Sequence, residues 1–440
     1  MLITLGCFRN EVESDIARSE LAAIGMEEVR ELESAQVVIV NTCGFIREAC
    51  EEGIDTILEL DLRASGPGRP PILLIGCMGQ RFGADLLTGM GEVSGVLGVD
   101  WRDNLSEALL AIFQGGRFHR SSATPCPAQT ARTVDSSSGA TLFVRIADGC
   151  DRACRFCAIP SIRGHYRSRH PDEIYAEIER LAGDSERELV LLAQDVTSYG
   201  RDLPGQPGLA ELVGRLAGMK AVRWLRLLYM SPEGVTQELV SEMVENPVVC
   251  DYFDIPFQHA SKSVLRRMGR PGDVERYCEL IASIRSRSPG AALRTTVMVG
   301  YPGETEQDFE ELVRFVEKIR FDWLGAFRYS QEEGTKAALL GGNVQPDIAR
   351  ARYDTILNLQ DAIEASRVRR RIGREFECVI DGESDIAGYD LRGRSYMEAP
   401  VVDGSIYIKR ATAAGAVAAP GDFTKATITG QEGLDLVGEI

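Results

Sequence analysis

Cys150-Asp151-Arg152-Ala153-Cys154-Arg155-Phe156-Cys157 is the stretch on which the reading of this chain turns. It sets three thiols at C-x3-C-x2-C spacing, shortly after a largely apolar run at 142–147. Three cysteines are one short of a closed structural zinc site, which takes four protein ligands in a tetrahedron, and neither His165 nor His170 stands at finger spacing from them. A 4Fe-4S cluster, by contrast, can be held by three thiolates with its fourth iron open to a substrate or cofactor.

From the run just before this loop onward, apolar runs at 142–146, 189–193, 222–229, 252–255, 293–299 and 323–329 alternate with helical patterns. Pro171-Asp172-Glu173 suits a helix first turn, with Ile174, Ile178 and Leu181 on one face, and Thr305 with Asp308 caps a second helix. Six βα units predict a parallel barrel or partial barrel with its chemistry at the carboxyl ends of the strands. Those ends carry Gln194-Asp195, Asp254-Ile255-Pro256-Phe257-Gln258-His259 and Gly300-Tyr301-Pro302-Gly303-Glu304-Thr305. Each has a plainer reading too. Gln194 and Asp195 suit a polar helix start, His259 a satisfied core histidine, and Gly-x-x-Gly an ordinary turn.

Upstream, the first 115 residues alternate in the same way, with strands expected at 1–5, 37–40, 72–75 and 95–99 and helices at 12–24 and 105–113. Continuous apolar strands between helices imply a parallel sheet covered on both faces. Cys7, Cys43 and Cys77 each fall just past the carboxyl end of a strand, the edge at which such sheets bind ligands. A lone cysteine is usually a small buried hydrophobe. Three at equivalent strand ends are expected to converge on a second cluster. Cys50, Cys126, Cys250, Cys278 and Cys378 show no such arrangement and read as structural or incidental. Residues 116–139 dissolve into serine and proline and read as a linker.

At the other end, residues 346–371 read as a long helix whose last turn, with Arg367, Arg369, Arg370 and Arg371, is expected to be solvated. Short β-type runs then follow at 375–380, 388–391, 405–408, 424–428 and 434–437, divided by glycine-rich turns; they predict a small five-stranded antiparallel barrel. Residues 376–440 hold five Lys and Arg against eleven Asp and Glu, a balance of −6, and the whole chain carries −17. Nucleic-acid affinity rests heavily on phosphate neutralisation, so this balance favours a basic protein partner and leaves RNA contact open. No apolar run approaches the roughly 20 residues of a membrane helix, and no secretory signal pattern opens the chain, so a cytoplasmic protein is expected. Eleven cysteines in 440 residues are too sparse for a disulfide scaffold.

Asn41-Thr42-Cys43-Gly44-Phe45-Ile46, Cys150 to Cys157 with the continuation Ala158-Ile159-Pro160-Ser161-Ile162-Arg163-Gly164, Leu191-Leu192-Ala193-Gln194-Asp195 and Asp254 to Ala260 together resemble the radical S-adenosylmethionine (SAM) methylthiotransferases. The similarity spans nearly the whole chain. It is closer to the branch that modifies an aspartate of small-subunit ribosomal protein twelve (RimO-type) than to the tRNA branch (MiaB-type), on Ala158-Ile159-Pro160-Ser161, Tyr329 to Thr335, Gly393-Arg394-Ser395 and Ala399-Pro400. Phe8-Arg9-Asn10 departs from the Pro-Lys-Asn usual in that branch, and the first strand is short.

The resemblance implies an α/β multidomain chain. A Rossmann-like parallel domain (1–115) would carry an auxiliary cluster on Cys7, Cys43 and Cys77, with the linker at 116–139. A partial (βα)6 radical SAM barrel (140–370) and an OB-like TRAM barrel (371–440) would follow. It also implies two 4Fe-4S clusters and SAM as cofactors, with Cys150, Cys154 and Cys157 as the catalytic ligands. Phe156, Gln194, Asp195, Asp254, Gln258, Gly300, Gly303 and Glu304 are the expected SAM contacts. The implied reaction replaces an unactivated C–H bond at an aspartate β-carbon by C–SCH3. Such a bond offers no acidic proton, so a deoxyadenosyl radical made from SAM is needed, and a second SAM would methylate sulfur held at the auxiliary cluster. The implied partners are the ribosomal protein or the assembled small subunit, to be delivered by the TRAM barrel, and an electron donor such as a flavodoxin or ferredoxin. A tRNA methylthiotransferase shares every cluster ligand and is the alternative.

Overall fold

The computed structural model describes residues 1–63, 69–122, 132–133, 139–410, 418–433 and 435–440, and its packing divides into two units. One takes in Met1–Ser136, Arg145–Leu181 and Ser330–Ala338, the other Ser137–Val144, Ala182–Tyr329 and Leu339–Ile440. Compactness thus divides the chain differently from the expected ranges, since the loop with Cys150, Cys154 and Cys157 belongs to the unit built on the amino-terminal sheet.

That sheet holds β1 (Leu2–Thr4), β2 (Val38–Thr42), β3 (Ile72–Gly76), β4 (Val93–Leu97) and β5 (Phe118–Arg120), side by side in this order and parallel throughout. β5 corrects the linker expectation for 116–139. Gly95 pairs with Phe118 through the backbone, which demands no apolar pattern at a sheet edge, so Phe118-His119-Arg120 left no strand signal. Most of the remaining expected linker, Cys126 included, lies outside the described residues.

Four helices, α1 (Phe8–Ala23), α2 (Arg47–Arg63), α3 (Cys77–Gly89) and α4 (Leu105–Phe113), follow the first four strands. Alternation sends Val38, Val40, Ile72, Leu74 and Val96 into one core with Ile57 and Leu60 of α2 and Met78 and Leu86 of α3. Asn41, on the other face, donates to the Asn10 carbonyl at 2.9 Å and to Ser14 Oγ at 3.0 Å, both on α1. Coverage of both faces is therefore as expected. The chain then runs through β6 (Thr141–Arg145) into an antiparallel ribbon, β7 (Ala147–Asp148) with β8 (Arg167–Ser168), that brackets the Cys150 loop and the short α5 (Ile159–Arg163).

In the second unit, β6, β9 (Arg187–Leu192) and β10 (Val222–Leu227) make one sheet, and β11 (Tyr252–Asp254), β12 (Ala292–Val299) and β13 (Trp323–Arg328) another. A parallel bridge of Leu225 to Val249 and the bond from Cys250 N to Leu225 O, 2.9 Å, join them into the expected partial barrel. Thr305 and Asp308 form a full capping box on the helix Glu306–Ile319, as their spacing predicts.

β14 (Glu375–Glu383), β15 (Leu391–Ser395), β16 (Ile406–Lys409), β17 (Phe423–Glu432) and β18 (Asp435–Glu439) close a small barrel in the order β14-β15-β16-β18-β17. It is not wholly antiparallel. β17 and β18 form a hairpin whose second strand lies against β16 in the same direction, Ile406 opposite Leu436, and side-chain alternation carries no information about strand direction. The end of β15 and the loop after it seal the amino ends of the six-stranded barrel. Arg394 Nη2 donates to Thr141 Oγ1 (3.0 Å) and Glu188 Oε2 (2.8 Å), Arg294 bridges Asp254 and Asp403, and Trp323 Nε1 donates to Met397 O (2.6 Å). Arg371 is a second correction. It is buried, paired with Glu398 and stacked on Phe376, because the small barrel covers the helix end that would otherwise be solvated.

Candidate cluster site

Cys7 caps the start of α1, Cys43 directly follows β2 and Cys77 is the first residue of α3, so three neighbouring parallel strands deliver three thiols to one edge. Glycine makes the approach possible. A Cβ on Gly6 (φ +94°) would stand 2.6 Å from Cys43 Cβ, and one on Gly44 would stand 2.6 Å from the Met78 nitrogen. Asn10 shapes the first loop, with Nδ2 donating to Leu5 O at 2.6 Å and its amide to Cys7 O at 2.8 Å.

Charge distinguishes the three. Burial raises the Cys7 thiol, but Arg9, Arg163 and backbone N–H groups outweigh it and leave the thiol below its ordinary value. Burial pushes Cys43 up to about 11, and the nearby Cys77 and Cys7 add to the rise. Cys77 also goes up through burial, against the pull of Arg163. Thiols that raise one another as they ionise fit a site in which iron charge compensates several thiolates together. Among the described residues no three His, Cys, Asp or Glu side chains could share a single metal ion. Ligands of a four-iron cluster bind separate irons and stand further apart than the ligands of one ion, so three thiols not close enough for a single ion can still serve a cluster.

The second triad lies in the same unit. Gly149 (φ +74°) starts its loop where a Cβ would fall 2.0 Å from the His165 carbonyl oxygen. The Cys150 amide donates to Gly164 O (3.1 Å), Cys157 N to Cys154 O (3.2 Å), and Ile159 N to Cys157 Sγ (3.5 Å). Burial pushes Cys157 up to about 12, with Cys154 and Cys150 adding to it. Arg155 O, next to the half-buried Phe156, accepts from Ala337 N at 2.8 Å. The segment that carries Ala337 also brings in Glu332, which pairs with Arg81 at 2.9 Å and accepts from the Arg47 amide at 3.0 Å.

The expected SAM contacts all lie in the second unit except Phe156. Asp195 caps the turn Val196–Ser198, accepting from Thr197 N (3.1 Å) and Ser198 Oγ (2.7 Å), which is the plainer reading of that pair. Asp254 accepts from Tyr229 N (2.8 Å) and Arg294 (3.1 Å), tying β11 to its neighbours. Gln258 is half-buried and holds a left-handed backbone (φ +69°), which a non-glycine residue keeps only when its surroundings enforce it. Gln194 is likewise half-buried, at the end of β9. Gly300 and Gly303 both have positive φ, which favours glycine whatever the space, and a Cβ on Gly300 would also strike Ala349 Cβ at 2.7 Å. Glu304 accepts from Arg352 (2.9 Å) and the Tyr301 amide (3.0 Å). His259 is fully buried, accepts from Ser261 N, and burial lowers it to about 3, the state of a neutral core histidine.

Sequence reasoning gave no role to the cations around the thiols. Arg9 acts on Cys7, Cys43, Cys77 and Cys157 alike, and Arg163 Nη2 donates to Cys77 Sγ at 3.3 Å. A signal was present, since arginine stands inside both thiol motifs and Arg9 keeps the charge of the lysine usual at that place. Cys250 and Cys378 are buried, and burial pushes each up to about 12. Cys50 packs at the edge of the first core and Cys278 is half-buried, all consistent with structural thiols.

Three family profiles match: the Radical SAM superfamily over residues 144–316, the Uncharacterized protein family UPF0004 over 1–98, and the TRAM domain over 372–440. The chain is 39% identical over 440 residues to the ribosomal protein uS12 methylthiotransferase RimO of Pelotomaculum thermopropionicum, covering 100% of this chain and 98% of that one. To the RimO of an Anaeromyxobacter species it is 40% identical over 99% of this chain and 92% of that one. Among solved structures, the radical SAM methyltransferase TsrM of Kitasatospora setae, with cobalamin and a [4Fe-4S] cluster bound, shares the fold at a TM-score of 0.54 and 16% identity, over 74% of this chain and 71% of that one.

Proposed function

The chain belongs to the family of the ribosomal protein uS12 methylthiotransferases RimO, radical SAM transferases, and we propose that it sets a methylthio group on the β-carbon of an aspartate of uS12. The observation that carries this reading is the pair of thiol triads in one packing unit, each on loops that only glycine allows to come so close. Cys150, Cys154 and Cys157 would hold one 4Fe-4S cluster and Cys7, Cys43 and Cys77 the other. When bound, these groups supply the electron that breaks a C–S bond of SAM and a place where sulfur awaits methylation.

The chain's own part is orientation. The Gly164 carbonyl and the Ile159 amide fix the Cys150 loop, which would hold its three thiolates in place for the cluster. Phe156, Gln194 and Gln258 would contact SAM. Asp195, Gly300, Gly303 and Glu304 would act chiefly by holding the carboxyl-end loops in shape, and Asp254 by its tie to Arg294. The small barrel seals the opposite, amino-end edge, so it would grip the substrate protein away from the reacting edge and not deliver the aspartate itself. Its exposed Glu383, Asp385, Asp390, Asp422, Glu432 and Glu439, against Lys409, Arg410 and Lys425, suit a basic partner. A flavodoxin or ferredoxin would supply electrons. Mass spectrometry of uS12 from cells with and without the protein should show the methylthio mass on one aspartate only when it is present. An unmodified uS12 with a modified tRNA would overturn the assignment.

A further inference from the structure

Four buried charged side chains gather in the first unit. Arg145 and Arg163 share Glu13 and Asp148: Arg163 Nη1 stands 2.9 Å from Asp148 Oδ2 and 3.5 Å from Glu13 Oε1, while Arg145 pairs with both carboxylates. All four side chains are at most 7% exposed. Two cations balance two anions, which leaves Arg163 a second nitrogen aimed elsewhere. That nitrogen, Nη2, donates to Cys77 Sγ at 3.3 Å. The next residue supplies Gly164 O, on which the Cys150 amide rests. Asp148, Arg163's main partner, accepts from Gly149 N at 2.8 Å at the start of the same loop. One dipeptide therefore touches the frames of both triads.

We infer that Arg163 is a positioning residue that sets how readily the auxiliary site accepts an electron, by donating a charged hydrogen bond to the Cys77 sulfur. This rests on the reading of Cys7, Cys43 and Cys77 as cluster ligands. Hydrogen bonds to ligand sulfurs and local net charge are the levers by which a protein tunes an iron–sulfur potential, and a cation at the sulfur favours the electron-rich state. A fork is needed and not a point charge, since the group must meet Asp148 and Cys77 at once.

The test compares anaerobically reconstituted wild type, Arg163→Gln and Arg163→Lys by iron content and by electron paramagnetic resonance across a redox titration, with Cys154→Ala used to assign the two signals. In Arg163→Gln the signal that survives Cys154→Ala should move to more negative potential while the other stays put. Arg163→Lys should move it part of the way, and this remains readable should the Gln variant load poorly. An unchanged midpoint in a fully loaded Lys or Gln variant would overturn the tuning role and leave the ligand reading intact. Full iron in Cys77→Ala would overturn the ligand reading and, with it, the inference.

Discussion

Gly6 shows how much of the site depends on an atom that is absent. An alanine there would meet Cys43 Cβ at 2.6 Å and would also hold a left-handed backbone, which costs roughly 1–2 kcal/mol in a residue with a side chain. Gly6→Ala is therefore expected to displace the Cys43 loop and reduce reconstituted iron from about eight per chain toward about four, counted by colorimetric assay. Glu364 illustrates the opposite case, a group whose trouble is burial. It lines a cavity of about 20 Å³, room for one water, with Arg367, Arg371 and Glu398. Burial first, then Asp361, Asp403, Asp435 and Glu398, push its carboxyl up to about 8. The native chain thus keeps a proton that the unfolded chain loses above its ordinary 4.5, and stability falls as pH rises between those two values. Glu364→Gln should melt with wild type near pH 4 and higher than wild type near pH 9, by on the order of 2 kcal/mol after allowance for partial solvation.

The loop from Arg394 to Asp403 works as a plug. Arg394 spends its donors on Thr141, Glu188, Asp381 and the Glu398 carbonyl, and Arg226 takes the other oxygen of Glu188 at 2.7 Å. Burial alone would raise Glu188, but Arg394 and Arg226 hold it at about 2. Its contribution is present above its ordinary 4.5 and is lost as pH falls toward 2. Arg394→Met leaves Glu188 with one cation and Asp381 short of its partner, so a loss of about 3–5 kcal/mol is expected by urea denaturation. Adding Glu188→Gln should restore part of it, because the deleted interaction is then no longer missed. Additive losses in the double variant would mean the two side chains are not coupled.

Charge and truncation bear on the chain as an assembly of parts. The acidic barrel looks from sequence like a detachable module, but Arg394, Tyr396, Met397 and Asp403 satisfy buried groups at the amino ends of the six strands. Removing residues 371–440 should therefore expose Glu188, Arg226 and Arg294 and give a chain that melts well below the full-length protein or aggregates. A truncated chain with unchanged melting would show the plug to be dispensable. Recruitment is better tested with the barrel in place: reversing the exposed Glu383, Asp385 and Asp390 to lysine should weaken uS12 binding at low salt, and the difference should shrink as salt rises and screening shortens to about 8 Å at physiological ionic strength.

The thiol spacings, the period of the apolar runs and the acidic balance at 376–440 are local properties, and the apolar runs were enough to read the parallel sheets, the partial barrel and the five late strands. Capping at Thr305 was legible for the same reason, since its partner is three residues away. The backbone pairing of β5 was not, nor was the parallel seam of β16 and β18, because edge pairing and strand direction leave no mark on side-chain alternation. Nor could sequence say which polar residues were already committed. Asp195, Asp254 and Glu304 look alike as strand-end acids until Thr197, Arg294 and Arg352 are found on them. Arg163 and Cys77 lie 86 positions apart. Burying a guanidinium beside a thiol is tolerable only because Glu13 and Asp148 arrive from two further elements, a balance set by charges brought together in space.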